Sequence, residues 1–99
     1  DFDRFIAMTV LYEKKYENLL AIARKNLILD PAWMDSGVYA AYLLGKLGTK
    51  EDIRKLYEYH AFLNKTTAGE KNYPYNTFSE RTVLDSIEML SLKSEENEK

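Results

Sequence analysis

Apolar residues recur along this chain at the three- and four-residue steps of an α-helix, and helix-breaking residues are scarce. The chain holds four Gly and two Pro. We interpret these six residues as marking the breaks between periodic stretches. Such a pattern is typical of amphipathic helices joined by short turns, so we expect an all-α fold.

The first periodic stretch runs from Asp3 to Leu29. A polar patch, Glu13-Lys14-Lys15, interrupts it without any Gly or Pro. The stretch is therefore either one long helix or two helices joined by a tight turn. Its inward stripe comprises Phe5, Met8, Tyr12, Leu19, Ala23 and Leu27, with Tyr16 bridging the gap.

Two boundaries follow from backbone chemistry. Pro31 disfavours the helical conformation in the residue before it, so the first region ends at Asp30. The same pair can open the next helix, with Asp30 as N-cap and Pro31 in the first helical position. That helix is predicted to run to about Leu47, and Gly48 is predicted to be a left-handed C-cap.

The second half of the chain contains two candidate capping boxes. Thr49 with Asp52 begins a stretch that extends to about Asn64, and its predicted inward face is Ile53, Leu56, Tyr57, His60 and Leu63. Residues 65–76 are predicted to form a loop. Thr77 with Glu80 then begins a last helix, whose predicted inward residues are Val83, Leu84, Ile87 and Leu90.

The chain length and the composition of its end suggest one domain followed by a tail. Ninety-nine residues suffice for a single domain. Residues 93–99 contain no apolar side chain, so we expect a disordered acidic tail there. We expect residues 1–92 to form a helical repeat-like domain, and we interpret a chain without an initial Met as a fragment of a larger protein.

Composition argues against several functional classes. There is no Cys and only one His, which disfavours disulfides and protein-ligated transition metals. The chain has fourteen Lys and Arg residues and sixteen Asp and Glu residues, so its net charge is −2. A charge of this sign does not attract nucleic acids. Neither a nucleophile motif nor a phosphate loop is found, and no apolar run could span a membrane. We expect a cytoplasmic, non-catalytic chain with no cofactor and no direct nucleic-acid contact.

Several short motifs resemble known helical repeats. The segment that opens with Tyr16 and closes with Leu29-Asp30-Pro31 looks like the second helix of a tetratricopeptide repeat, and residues 38–63 look like a further helical pair. A tighter resemblance covers Tyr16 to about Ile87. Its order of Leu29-Asp30-Pro31, Tyr39-Ala40-Ala41, Leu47-Gly48 and Leu56-Tyr57-Glu58 is similar to the bacterial transcriptional activator domain, a helical module of bacterial response regulators and antibiotic-pathway regulators.

The resemblance implies a regulatory interaction role without catalytic residues. It implies a tetratricopeptide-like stack of antiparallel helix pairs with a C-terminal capping helix. The implied partners are proteins: the DNA-binding or receiver domain of the same regulator, a second copy of the chain, or RNA polymerase. The alternative is a free-standing tetratricopeptide-type adaptor that binds a peptide in its concave groove.

In such a stack the inner groove is lined by the first helix of each pair. Val38, Tyr42 and Lys46 share one face at four-residue steps, and Arg4 with Met8 would lie beside them. An aromatic ring between cations could hold an acidic or phosphorylated peptide end. The other interpretation is an ordinary amphipathic helix with a Lys in its last turn.

The eight tyrosines and the single histidine each allow two interpretations. Tyr12, Tyr16 and Tyr57 fall on inward stripes, whereas Tyr73 and Tyr75 lie in the predicted loop and are candidate partner contacts or parts of a lid. The tyrosines considered for an aromatic binding face are Tyr39, Tyr42, Tyr57, Tyr59, Tyr73 and Tyr75. His60 has no obvious partner among its sequence neighbours, so we predict a half-buried packing residue, with a pH-sensitive or binding role as the alternative.

Overall fold

The computed structural model describes residues 1–66 and 74–98, and within these residues the chain is all-helical. The α-helices are α1 (Phe2–Glu13), α2 (Leu19–Asn26), α3 (Met34–Leu47), α4 (Ile53–Thr66) and α5 (Pro74–Glu98). Short 3-10 turns at Pro31–Trp33 and Lys50–Asp52 lead into α3 and α4. The predicted fold class is confirmed at this level.

The first periodic stretch consists of two helices that are separated at the polar patch. Lys15 adopts a left-handed backbone with φ of 55°. The Lys15 N–H donates to the Tyr12 carbonyl at 3.1 Å, and the Tyr16 N–H donates to the Leu11 carbonyl at 3.0 Å. This pair of bonds is a Schellman motif, which satisfies carbonyls that the end of a helix would otherwise leave unpaired.

The prediction of a left-handed cap at Gly48 is wrong. Gly48 has φ of −78° and ψ of −174°, which is extended backbone. A Cβ at this position would lie 2.5 Å from the Leu44 carbonyl oxygen and 2.7 Å from Asp52 Oδ2. Close approach of the chain, not backbone conformation, therefore requires glycine here.

Two predicted N-terminal caps are present, and a third cap comes from a distant residue. Asp30 accepts the Ala32 N–H at 2.9 Å, and Thr49 with Asp52 forms the predicted capping box. At the start of α3 the N-cap position is occupied by Trp33, which makes no side-chain cap bond. The Asp1 carboxylate instead accepts the Ser36 N–H at 2.9 Å and thus joins the start of α1 to the start of α3.

Helix α3 is the centre of the fold and packs against α1, α2 and α5. Two of its glycines lie inside the helix rather than at breaks, since Gly37 faces Tyr59 and Gly45 faces Ser86 at close range. Helix α5 also packs against α4. The buried apolar core comprises Met8, Leu19, Ala23, Leu27, Val38, Ala40, Ala41, Leu43, Leu44, Leu56, Tyr59, Leu63, Val83, Ile87 and Leu90.

The predicted inward face of α4 is partly wrong. Leu56 and Leu63 are buried as expected, but Tyr57 is 57% exposed and Tyr59 is fully buried in its place. The Tyr59 hydroxyl donates to the Met34 carbonyl at 3.3 Å. That hydrogen bond satisfies the polar end of the ring, which allows tyrosine in the core.

Helix α5 is longer than the sequence indicates at both ends. It begins at Pro74, so Thr77 and Glu80 lie inside the helix and do not start it; proline suits the first helical position. The helix continues to Glu98, past the predicted boundary at residue 92, because residues 77–98 contain neither Gly nor Pro. The assignment of residues 1–92 as the domain stays a prediction.

The inward face of α5 agrees with the sequence pattern. Val83, Ile87 and Leu90 are buried as predicted, and Leu84 is half-buried. None of the helices described has the length and apolarity needed to cross a membrane.

Candidate binding cleft

An open cleft of about 610 Å³ lies between α1, α3 and α5. We call it the aromatic cleft, because ring side chains dominate its walls. The described residues that line it are Phe2, Phe5 and Tyr12 from α1, Asp35, Val38, Tyr39 and Tyr42 from α3, and Ser79 and Thr82 from α5. Its volume lies within the range usual for small-ligand sites.

The rings of the cleft form a continuous row. Phe5 and Tyr39 have centroids 4.9 Å apart at an interplanar angle of 59°. Tyr39 and Tyr42 follow at 5.7 Å and 28°. The Lys46 ammonium lies 5.0 Å from the centre of the Tyr42 ring, so the row ends in a cation–π contact.

Within the part of the chain that the structure describes, one polar group of the cleft is unsatisfied. Ser79 is 2% exposed, and its Oγ is buried without a hydrogen-bond partner. Leaving a buried hydroxyl unpaired costs about 1–3 kcal/mol. Ser79 therefore places a buried hydroxyl without a partner at the wall of the cleft.

The structure brings together three of the five predicted groove residues. Val38 and Tyr42 line the cleft, and Lys46 lies over Tyr42. Met8 is 1% exposed and belongs to the core, so it cannot line a groove. Arg4 lies 4.0 Å from the centre of the Trp33 ring.

Helix α1 therefore contributes residues other than those predicted for it. Its side of the cleft is formed by Phe2, Phe5 and Tyr12. Phe5 and Tyr12 belong to the inward stripe that the sequence shows, so their participation could have been found from periodicity. No sequence signal indicates Ser79, whose role depends on how α5 crosses α3.

The other tyrosines differ in their surroundings. Tyr16 is 45% exposed, contrary to its predicted core position, and Tyr12 is half-buried. Tyr73 lies outside the described residues. Tyr75 belongs to the first turn of α5, not to a loop, and its side chain lies outside what the structure describes.

His60 has a partner that its sequence neighbours do not reveal. Its Nε2 lies 3.2 Å from Glu80 Oε1, and its side chain is 20% exposed. The half-buried position is as predicted, while the hydrogen-bonding partner comes from α5, twenty residues along the chain. Among the residues described, no group of three or more His, Cys, Asp or Glu side chains could hold a metal ion.

The most buried ion pair of the described residues joins α2 to the turn before α4. Arg24 Nε and Nη2 donate to the two carboxylate oxygens of Asp52, each at 2.9 Å. Burial by itself raises the pKa of Asp52, but the hydrogen bonds from Arg24 and from the Thr49 N–H outweigh it and lower the pKa below its ordinary value. This carboxylate is therefore held ionised as a structural group.

Another depression, of about 590 Å³, lies beside this ion pair. Arg24, Lys50 and Lys93 line it, together with Glu51 and the Gly48–Thr49 backbone. The Lys93 ammonium donates to the carbonyls of Lys46 and Gly48, each at 3.3 Å. It thus supplies positive charge at the carboxyl end of α3, where the helix dipole favours it.

Comparison with known proteins gives no relative: no family model matches the chain, and no curated protein and no solved structure is significantly similar to it.

Proposed function

We propose that this chain is a non-catalytic protein-interaction and oligomerisation module of a bacterial transcription regulator, acting in the cytoplasm. The proposal combines the motif resemblance with one structural observation, a row of exposed apolar side chains on α1. Its partners would be proteins: the regulator's own DNA-binding or receiver domain, RNA polymerase, or a second copy of the chain. Only the last can be tested with the chain alone.

The exposed row on α1 supports association between two copies. Phe2, Ile6 and Val10 follow one another at four-residue steps and are 70%, 44% and 41% exposed. Residues four apart lie on the same face of a helix, so the three side chains form one stripe. Ile6 is central, so in a two-fold antiparallel pairing of α1 helices it would pack against its own counterpart.

Analytical ultracentrifugation over a range of concentrations tests this pairing. We expect a concentration-dependent dimer, because burying the stripe removes apolar surface from water. Ile6→Lys should shift the chain to monomer, since each copy would bring a charge to the middle of the interface. Tyr57→Ala, which removes an exposed ring from α4, is the matched control and should leave the dimer unchanged. A chain that is monomeric at every concentration would contradict the oligomerisation role.

The aromatic cleft favours the second candidate, a tetratricopeptide-type adaptor that holds a peptide. Its walls come from α1, α3 and α5. In a stack of antiparallel pairs these would be the first helices, which line the concave side. The sequence upstream of Asp1 discriminates the two proposals: a winged-helix or receiver domain supports the regulator module, and further repeats support the adaptor.

A further inference from the structure

The aromatic cleft has the features of a small-molecule site. We infer that it binds an uncharged, planar aromatic molecule that carries one hydroxyl group, with the rings of Phe5, Tyr39 and Tyr42 around its flat faces and the Ser79 hydroxyl bonded to its polar atom. This inference does not depend on the proposed function. It goes beyond a protein-interaction role because it assigns a ligand to the interior of the cleft.

The shape and walls of the cleft indicate a flat aromatic ligand. Small-ligand sites are concave and mostly apolar, usually between about 300 and 1,000 Å³, with a few placed polar groups. The cleft holds about 610 Å³ between three helices. Its rings are already arranged at 4.9 Å and 5.7 Å from one another, so a planar ligand can add to the row by tilted or offset stacking.

The polar groups of the cleft define the substituent. Ser79 Oγ is buried and unpaired, and Ser79 is one of the lining residues. A serine hydroxyl can both donate and accept, so a ligand hydroxyl can complete its hydrogen bonding. Most of the other lining side chains are apolar or aromatic, and burying an anion among them without a paired cation is unfavourable. A neutral hydroxylated aromatic therefore fits better than an aromatic acid.

The test compares two probes that differ only in the hydroxyl group, 2-naphthol and naphthalene. Titration of the full chain is followed by the chemical shifts of backbone amides. We expect both probes to shift amides of the cleft residues, and 2-naphthol to bind about three- to tenfold more tightly, which is the fold-change one net hydrogen bond supports.

Two variants separate the contributions of the hydroxyl and of the rings. Ser79→Ala should bind both probes with nearly equal affinity, and it should leave the free chain at least as stable because it removes an unpaired buried hydroxyl. Tyr42→Ala should weaken both probes by a similar factor of about three or more, because it removes one ring of the row. Tyr57→Ala removes an exposed ring outside the cleft and should change neither affinity.

Four results would overturn the inference. The first is an absence of binding by both probes. The second is a set of shifted amides that lies outside the cleft. The third is a preference for 2-naphthol that persists in Ser79→Ala. Shifts in cleft amides on dilution alone, with no response to either probe, would assign the cleft to a second copy of the chain and would also overturn it.

Discussion

Lys15 occupies a backbone conformation that usually belongs to glycine. With φ of 55° it terminates α1 and turns the chain towards α2. A side chain in this region brings Cβ close to the following carbonyl oxygen, at a cost of roughly 1–2 kcal/mol. The hydrogen bonds of the Schellman motif hold the residue there despite that cost. Because lysine gives no glycine-like signal, the sequence left open whether the first stretch is one helix or two.

Replacing Lys15 by glycine should stabilise the chain. We expect Lys15→Gly to raise the free energy of unfolding by up to about 1 kcal/mol, because the strain of the left-handed backbone is released while the greater freedom of the unfolded chain offsets part of the gain. Urea unfolding followed by circular dichroism measures the change. Lys14, the preceding residue, has φ of −88° and is the matched control. Lys14→Gly should lower stability, and equal effects of the two substitutions would contradict this account.

At the scale of elements, helix α3 determines how its neighbours pack. Its buried face includes Gly37 and Gly45. Gly45 allows α5 to approach closely, and Gly37 leaves room for the Tyr59 ring that extends from α4. At Gly37 an added Cβ would meet the hydroxyl of Tyr59. That ring has little room to move, since it is fully buried and its centroid lies 5.6 Å from that of the tilted Phe62 ring. Glycine at this position is therefore required by contact between helices.

The contact between Gly37 and Tyr59 can be tested by a double-mutant cycle. Glycine to alanine inside a helix gains up to about 1 kcal/mol from propensity. We nevertheless expect Gly37→Ala to destabilise the chain by about 1–3 kcal/mol, because the new methyl group overpacks the core. In a Tyr59→Phe background the hydroxyl is absent, and the same substitution should cost measurably less. Chemical denaturation of the four chains gives the coupling energy, and additive effects would show that the two residues do not interact.

At the scale of the whole molecule, polar contacts between distant residues fix how the helices are joined. Asp1 caps α3, Arg24 binds Asp52, and His60 lies beside Glu80. The Arg24–Asp52 pair is the most buried of the ion pairs given for the described residues, with Asp52 4% exposed. It joins α2 to the turn before α4, so its loss should affect the stability of the whole fold.

The stability of the chain should therefore decrease in acid through Asp52. Its pKa is lower in the folded chain than in the unfolded chain, where an aspartate titrates near about 3.9. The stabilisation is fully present above that value and is lost as the pH falls through the folded pKa. We expect Asp52→Asn to cost about 2 kcal/mol at pH 7, between the values usual for exposed and buried pairs.

Urea unfolding of the wild type and Asp52→Asn, from about pH 7 down to about pH 3, checks this linkage. The difference in unfolding free energy between the two chains should shrink at low pH, because a protonated Asp52 is uncharged, like the asparagine that replaces it. Asp85→Asn removes one partner of the more exposed pair with Arg81 and is the control. Its effect should stay below about 0.5 kcal/mol. A difference for Asp52→Asn that is independent of pH would contradict the role of its charge.

Several residues that line the aromatic cleft could have been predicted from the sequence, but the full set could not. The four-residue spacing of Val38, Tyr42 and Lys46 placed the three residues on one face of α3, where Val38 and Tyr42 line the cleft and Lys46 lies over the Tyr42 ring. For α1 the prediction named Arg4 and Met8, whereas the residues of α1 that line the cleft are Phe2, Phe5 and Tyr12. A shift of about one residue along a helix rotates the face it presents by roughly 100°. Periodicity alone does not fix that rotation to within one side chain.

The sequence by itself determined the helical class, the cap of Asp30 with Pro31, the Thr49–Asp52 capping box and the inward positions of Val83, Ile87 and Leu90. Each of these depends on residues within a turn or two of one another. Only the tertiary structure decided that Tyr59 is buried instead of Tyr57, that Asp1 caps α3, and that Ser79 is left unpaired in a cleft of rings. Those outcomes depend on how the helices cross, and contacts between residues twenty or more positions apart leave no local pattern from which they could be predicted.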